Sequence, residues 1–277
     1  MRFANVLVVG LGLVSVVIAV FVSWKWRLLP LRSPSPVDIE NSWRARLHVA
    51  VRTVGAAWTA GVVAGVVVLG LIGRLVMRIL AATSGNSQGL LTEASETVGE
   101  IMSGGTIGFI IFVGLGGGIV SALGYLVIRS WLPTKAGTSG LIFGILAVGT
   151  LGVGDALSPS NVDFAILTPR WLAVTLVVGT GILFAITFTA IAARLDQVAK
   201  TPGRARILLY PALVLSIIPP IGVATIAYIG IRTFAPTMLE ALGRSAFVRV
   251  AGQILVAAAT VASAFFATAA VLDILSA

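Results

Sequence analysis

The feature that most constrains this chain is the length of its stretches without charge. Between charged residues the sequence leaves seven apolar windows of 19 to 28 residues each. The windows are residues 4–24, 53–73, 101–128, 136–154, 171–193, 207–231 and 250–272. Because a helix rises about 1.5 Å per residue, roughly 20 apolar residues cross a hydrocarbon core of about 30 Å. The sequence therefore predicts an all-α transmembrane bundle of about seven spans, with residues 1–277 forming one domain.

The composition excludes several other classes of protein. Hydrophobic residues make up 58% of the chain and charged residues only 10%, whereas roughly a quarter of the residues of a soluble domain are charged. A membrane β-barrel would show segments of about ten residues that alternate apolar and polar, which these windows do not. The longest polar intervals, residues 25–52 and 74–100, are too short to build a soluble catalytic core.

The basic residues are distributed unevenly between the two predicted sides. If the N-terminus lies outside, twelve of the 19 lysines and arginines fall in the inner loops. The outer loops contain the other seven, together with acidic residues such as Glu93, Glu96 and Glu100. Since basic loops stay in the cytoplasm, the pattern predicts an outer N-terminus and an inner C-terminus.

A short amphipathic helix is predicted near residues 36–50, before the second span. Ser35 is a suitable N-cap, Pro36 suits the first helical position, and Asp38 favours the positive end of the helix dipole. Apolar residues then recur every four positions, which is typical of a helix lying in the membrane interface.

Glycines are frequent in spans 2 to 4, and many lie four residues apart. Examples are Gly61 with Gly65, Gly114 with Gly118, and Gly140 with Gly144. Small residues on one helix face let two backbones approach closely in lipid. Two uses remain open, packing within the bundle and contact with a partner subunit.

The first candidate site is the pair Arg74 and Arg78, which lie four residues apart and so share one helix face. Two neighbouring cations favour a shared anionic partner, and the following loop supplies Glu93 and Glu100. Three interpretations remain open: pairing with this acidic loop at the membrane surface, a binding site for an anionic solute, and contact with lipid headgroups.

The second candidate is a helix break near mid-membrane at Pro219 and Pro220, in the middle of the window 207–231. Two consecutive prolines remove two amide donors, which leaves the carbonyls of Leu215 and Ser216 without their usual helical partners. Transporters use such broken helices to build ion and substrate sites, although a purely structural kink is an equally ordinary use.

Other kinds of site have little support in the sequence. There is no cysteine and only one histidine, His48. No paired carboxylates or nucleophile motif occur within a span. The sequence predicts no catalytic, metal or cofactor site and no nucleic-acid partner. The expected partners are the lipid bilayer and other membrane protein subunits.

Three segments resemble a known group of proteins. They are Gly73 to Arg78, the loop residues Thr92, Glu93 and Val98 to Glu100, and Arg129 to Pro133. In these segments the chain is similar to uncharacterised multi-pass membrane proteins of actinobacteria and related bacteria, over roughly residues 55–195. The resemblance implies a bacterial cytoplasmic membrane and no known activity.

Two functions are compatible with these features. The favoured hypothesis is a non-catalytic helix-packing subunit or accessory component of a membrane complex, because the clearest patterns concern packing. The alternative is a small transporter or channel for an anionic solute, which would use the broken sixth span and the arginine pair.

Overall fold

The structure of the protein is a computed structural model. The structure describes residues 2–31, 43–85, 89–92, 97–98, 103–198, 214, 217–234 and 246–276.

Helices make up nearly all of these ranges. The α-helices are α1 (Arg2–Trp26), α2 (Trp43–Ala64), α3 (Gly73–Thr83), α4 (Ser103–Phe109), α5 (Gly117–Ile128), α6 (Ala136–Ala147), α7 (Asp163–Ile166), α8 (Arg170–Val198), α9 (Pro219–Phe234) and α10 (Ala246–Ser276). Three wider π-helical segments continue or join them: π1 (Gly65–Ile72), π2 (Ile110–Gly116) and π3 (Val148–Gly152).

Within the described ranges, 5 helices are long and apolar enough to cross a membrane. They are Val6–Trp26, Arg46–Thr83, Gly104–Ile128, Arg170–Val198 and Phe247–Ser276. Ala136–Gly152 forms a shorter apolar helix. The prediction of an all-α chain with several membrane-length helices is confirmed, whereas the number of seven spans is not reached in this part of the chain.

The predicted interfacial helix is only partly covered. Residues 36–42 lie outside the described residues. Trp43 to Ala50 form the first turns of α2, which continues into the span without interruption. Residues 43–50 therefore begin a long membrane helix rather than end a separate one, because no proline or glycine separates them from residue 53.

Glycines bring the second and third long helices into backbone contact. Gly61 touches the backbone of Gly118, and Gly65 touches that of Gly114, so the two helices run antiparallel. A methyl group at Gly61, Gly65 or Gly118 would overlap a carbonyl oxygen of the facing helix, and one at Gly114 would lie 3.1 Å from the Gly65 oxygen. We call this contact the glycine seam. It is a packing contact within the chain, which is the first of the two uses that the spacing allowed.

Aromatic side chains fill the space beside the glycine seam. The Phe188 ring of α8 lies 5.1 Å from the Tyr125 ring of α5 and 5.7 Å from the Phe143 ring of α6, measured between ring centroids. Trp58 of α2 is completely buried. The middle of the bundle is therefore closely packed and mainly apolar, with a few buried hydroxyl groups such as those of Ser23 and Thr187, which lie 3.0 Å apart.

At one end of the bundle, the end of α1 contacts the start of α6. We call this end of the bundle the basic end. The Ala136 amide donates to the Leu29 carbonyl at 3.0 Å, and the Gly137 amide donates to the Arg27 carbonyl at 2.8 Å. These bonds satisfy amides of the first turn of α6, which have no partner within the helix. At the opposite end, the Ser84 hydroxyl donates to the Thr168 carbonyl at 2.9 Å.

The last two helices depart from the predicted seven-span path. α9 ends at the basic end, where the Arg46 Nε donates to the Thr233 carbonyl at 3.1 Å. Gly252 of α10 touches Trp131 at the same end, and Ser263 touches Gly149 in π3, the segment that continues α6. α10 thus runs parallel to α6 and finishes at the opposite end.

α1 also begins at the opposite end, because Gly12 packs on Leu75 of α3 whereas Arg27 lies at the basic end. Both ends of the described chain therefore lie at one end of the bundle, whereas seven full spans would separate them. The difference arises at α9, which begins at Pro219 inside the window that was predicted to cross the membrane.

Candidate functional site

The predicted arginine pair lies on α3, directly after π1, and both side chains are partly buried. The Arg74 guanidinium carbon lies 4.8 Å from the centroid of the Phe109 ring, and its Nη1 donates to the Met77 sulfur at 3.7 Å. These contacts are those of a cation held against soft, polarisable groups. Glu93, Glu96 and Glu100 lie outside the described residues, so their pairing with the arginines stays a prediction.

The predicted proline break coincides with the start of a helix. Pro219 and Pro220 are the first two residues of α9, and both are exposed. A proline is well tolerated there because the first amides of a helix have no intrahelical acceptor. Ser216 lies outside the described residues, so the state of its carbonyl stays a prediction.

The structure brings together a set of charged side chains that the sequence separates widely. Arg52 at the start of the second span and Asp196 near the end of α8 form an ion pair, with 3.4 Å between Nε and Oδ1. Their side chains are only 10% and 9% exposed. Few charged side chains become this buried without a partner, because removing a charge from water is costly.

Arg129, at the end of α5, is the second guanidinium of this cluster. Its guanidinium carbon lies 5.8 Å from the centroid of the Tyr125 ring. Burial acts to lower the pKa of Arg129, but its interactions with Tyr125, Tyr228 and Asp196 outweigh that effect and raise the pKa. Arg129 therefore keeps its positive charge beside the Asp196 carboxylate.

Tyr228 brings α9 into the same cluster. Its hydroxyl oxygen is buried, and it interacts electrostatically with Arg129. We call the set Arg52, Tyr125, Arg129, Asp196 and Tyr228 the inner charge cluster. It joins four helices at the basic end, namely α2, α5, α8 and α9.

A small cavity opens beside the inner charge cluster. Its volume is about 10 Å³, which is close to the minimum that accommodates one water molecule. The cavity is lined by Leu31, Thr53, Ala56, Ala57, Tyr125, Arg129, Ala192 and Asp196. Because Thr53, Arg129 and Asp196 all present polar atoms, the arrangement suits a bridging water better than an organic solute.

The sequence did not predict the inner charge cluster, because Arg52 and Arg129 were assigned to the inner basic loops and Asp196 was not singled out. One signal was present. Asp196 stands in the last turn of α8, where a carboxylate is unfavourable for the helix dipole and so requires a specific cationic partner.

No protein family model, characterised protein or solved structure shows significant similarity to this chain.

Proposed function

We propose that this membrane protein is a non-catalytic helix-packing subunit of a larger membrane assembly. The observation that carries the proposal is the closed middle of the bundle. Between the inner charge cluster and Arg74, the described residues meet through the glycine seam and the aromatic rings around Phe188. A solute carrier would need polar groups along such a route.

The lipid-facing helices provide the surface for a partner. The most apolar stretches of α1 and α10 are mostly exposed, with only 22% and 17% of each buried. In the helix Arg46–Thr83, by contrast, 56% of the corresponding stretch is buried. In lipid, helices associate by close packing rather than by expulsion of water. The outward faces of α1 and α10 are therefore the faces on which another membrane helix can pack.

A cysteine cross-linking experiment tests the subunit proposal. The chain has no native cysteine, so single thiols can be introduced at Val261, which is 71% exposed, and at Val256, which is 7% exposed. In native membranes the Val261→Cys variant should form a cross-link to one stoichiometric partner, and the matched Val256→Cys control should not. A lone, uncross-linked particle after mild-detergent purification would contradict the proposal.

For the topology, we propose a cytoplasmic basic end, with both chain ends outside. This path fits the positive-inside rule better than seven spans do, because it places Arg232 and Arg249 on the cytoplasmic side with most of the other basic residues. A membrane-impermeant thiol reagent applied from outside should label Asp163→Cys and Ser276→Cys but not Arg194→Cys. Labelling of Ser276→Cys only from the cytoplasm would restore the predicted inner C-terminus. The cell membrane of a bacterium is the location that the resemblance favours.

A second candidate is a small transporter or channel for an anionic solute. The observation in its favour is that α9 begins at the proline pair and reaches Arg129 through Tyr228. Proteoliposomes that contain the purified protein, with a chloride or phosphate gradient across the membrane, test this function. It requires an anion flux that Arg78→Ala abolishes while the protein stays folded. Flux that does not depend on Arg78 would remove the arginine pair from the mechanism.

A further inference from the structure

Three exposed cations lie near the junction of α1 and α6 at the basic end. Lys25 lies in the last turn of α1, Arg27 directly follows this helix, and Lys135 directly precedes α6. An isolated β-bridge pairs Pro30 with Lys135. Together with the Gly137 to Arg27 backbone bond of 2.8 Å, this pairing fixes the two segments side by side. We call Lys25, Arg27 and Lys135 the α1–α6 patch.

The α1–α6 patch has no described carboxylate to neutralise it. Of the four acidic residues within the described ranges, Asp155, Asp163 and Asp273 lie at the opposite end of the bundle. The fourth, Asp196, is buried against Arg52. Among the described residues, an anion that approaches this surface from solvent therefore meets positive charge only.

Exposed apolar side chains border the same three cations. Phe21, Trp24 and Leu28 are 60%, 67% and 67% exposed. The Arg27 guanidinium carbon lies 3.7 Å from the centroid of the Trp24 ring, and the Lys25 Nζ lies 5.4 Å from that of the Phe21 ring. An exposed indole beside cations at the end of an apolar helix is typical of the level of lipid headgroups.

We propose that the α1–α6 patch binds an anionic phospholipid, with the phosphate against Lys25, Arg27 and Lys135 and the acyl chains along Phe21 and Trp24. The three cations suit the phosphate of such a lipid, and the exposed aromatic side chains suit its acyl chains. A soluble phosphate compound would leave the aromatic side chains without a contact. A cation near an anionic lipid surface is worth about a fivefold preference, so three together give a preference on the order of a hundredfold.

The test measures lipid selectivity of the purified full chain by native mass spectrometry, in an equal mixture of phosphatidylglycerol and phosphatidylcholine. The patch variant combines Lys25→Gln, Arg27→Gln and Lys135→Gln. The matched control combines Arg44→Gln, Arg194→Gln and Arg232→Gln, which removes the same charge from exposed side chains of other helices at the basic end.

The wild-type chain and the control should retain phosphatidylglycerol at least tenfold over phosphatidylcholine, whereas the patch variant should retain both equally. Equal losses in the two variants would show a diffuse effect of charge and overturn the proposal, as would retained selectivity in the patch variant. Displacement of the lipid by millimolar inorganic phosphate would overturn the lipid as occupant. If the patch variant fails to fold, Lys135→Gln alone should still reduce the selectivity several-fold, and an unchanged value would refute the site.

Discussion

Arginines lie at both ends of the bundle, but in different settings. At the basic end, Arg52 and Arg129 meet the Asp196 carboxylate and two tyrosines, and the groups come from four helices. At the other end, Arg74 and Arg78 are neighbours on one helix, and Arg74 rests on Phe109. The glycine seam lies between these two regions.

The comparison teaches that nearness in sequence is a poor guide to a buried charge network. The pair that is obvious in the sequence is only partly buried, and the described contacts of Arg74 are with an aromatic ring and a thioether. The inner charge cluster assembles residues that are far apart along the chain. Two regions that differ this much in geometry should also differ in their contribution to stability.

The largest effect is expected for Asp196→Ala. The change leaves the buried Arg52 without its carboxylate, and breaking a buried ion pair costs roughly 3–5 kcal/mol. The free energy of unfolding in detergent should fall by about that amount, as measured by denaturant titration with tryptophan fluorescence. The control is Asp155→Ala at an exposed position, which should change the free energy little. Equal values for the two variants would show that the ion pair contributes nothing.

The glycine seam should be the next most sensitive position. Gly65→Ala places a methyl group against the Gly114 backbone, and overpacking of this kind costs about 1–3 kcal/mol. Gly108→Ala is the matched control, since a methyl group there meets open space. We expect a lower thermal midpoint for Gly65→Ala and an unchanged or higher one for Gly108→Ala. The reverse order would mean that the two helices do not touch at this level.

A smaller effect is expected at the aromatic partner of Arg74. Phe109→Leu removes the ring under the guanidinium, and a partly buried cation–π contact is worth about 1 kcal/mol. Phe112→Leu, where the side chain is 79% exposed, serves as the control for the loss of a ring. A double-mutant cycle with Arg74→Met should give a coupling energy for Phe109 and none for Phe112.

The smallest effect is expected for Arg78→Gln. Because this side chain is only partly buried, solvent screens its interactions, and exposed ion pairs contribute about 1 kcal/mol or less. Thermal unfolding should show a shift well below that of Asp196→Ala. A loss as large as that of Asp196→Ala would mean that Arg78 takes part in a buried pairing, for which Glu93 and Glu100 are the predicted partners.

The sequence by itself determined the class of fold. Uninterrupted apolar windows have to satisfy their backbone groups internally in lipid, and the helices around residues 4–24, 101–128, 171–193 and 250–272 appear close to the predicted bounds. The glycine spacing indicated close helix contacts, which Gly61 and Gly65 make. These properties follow from local composition and period, which do not depend on distant residues.

Only the tertiary structure decided which charges meet and where the last two helices run. Arg52 and Asp196 become partners because α2 and α8 pack together, and no local pattern specifies that pairing. Likewise, α9 starts at the proline pair and ends beside Arg46 because its contacts with α2 hold it there. Hydropathy measures how well a segment tolerates lipid, and every apolar helix in the bundle meets that requirement. The choice among neighbours rests on shape and on the pairing of a few buried charges, which depend on the whole assembled bundle.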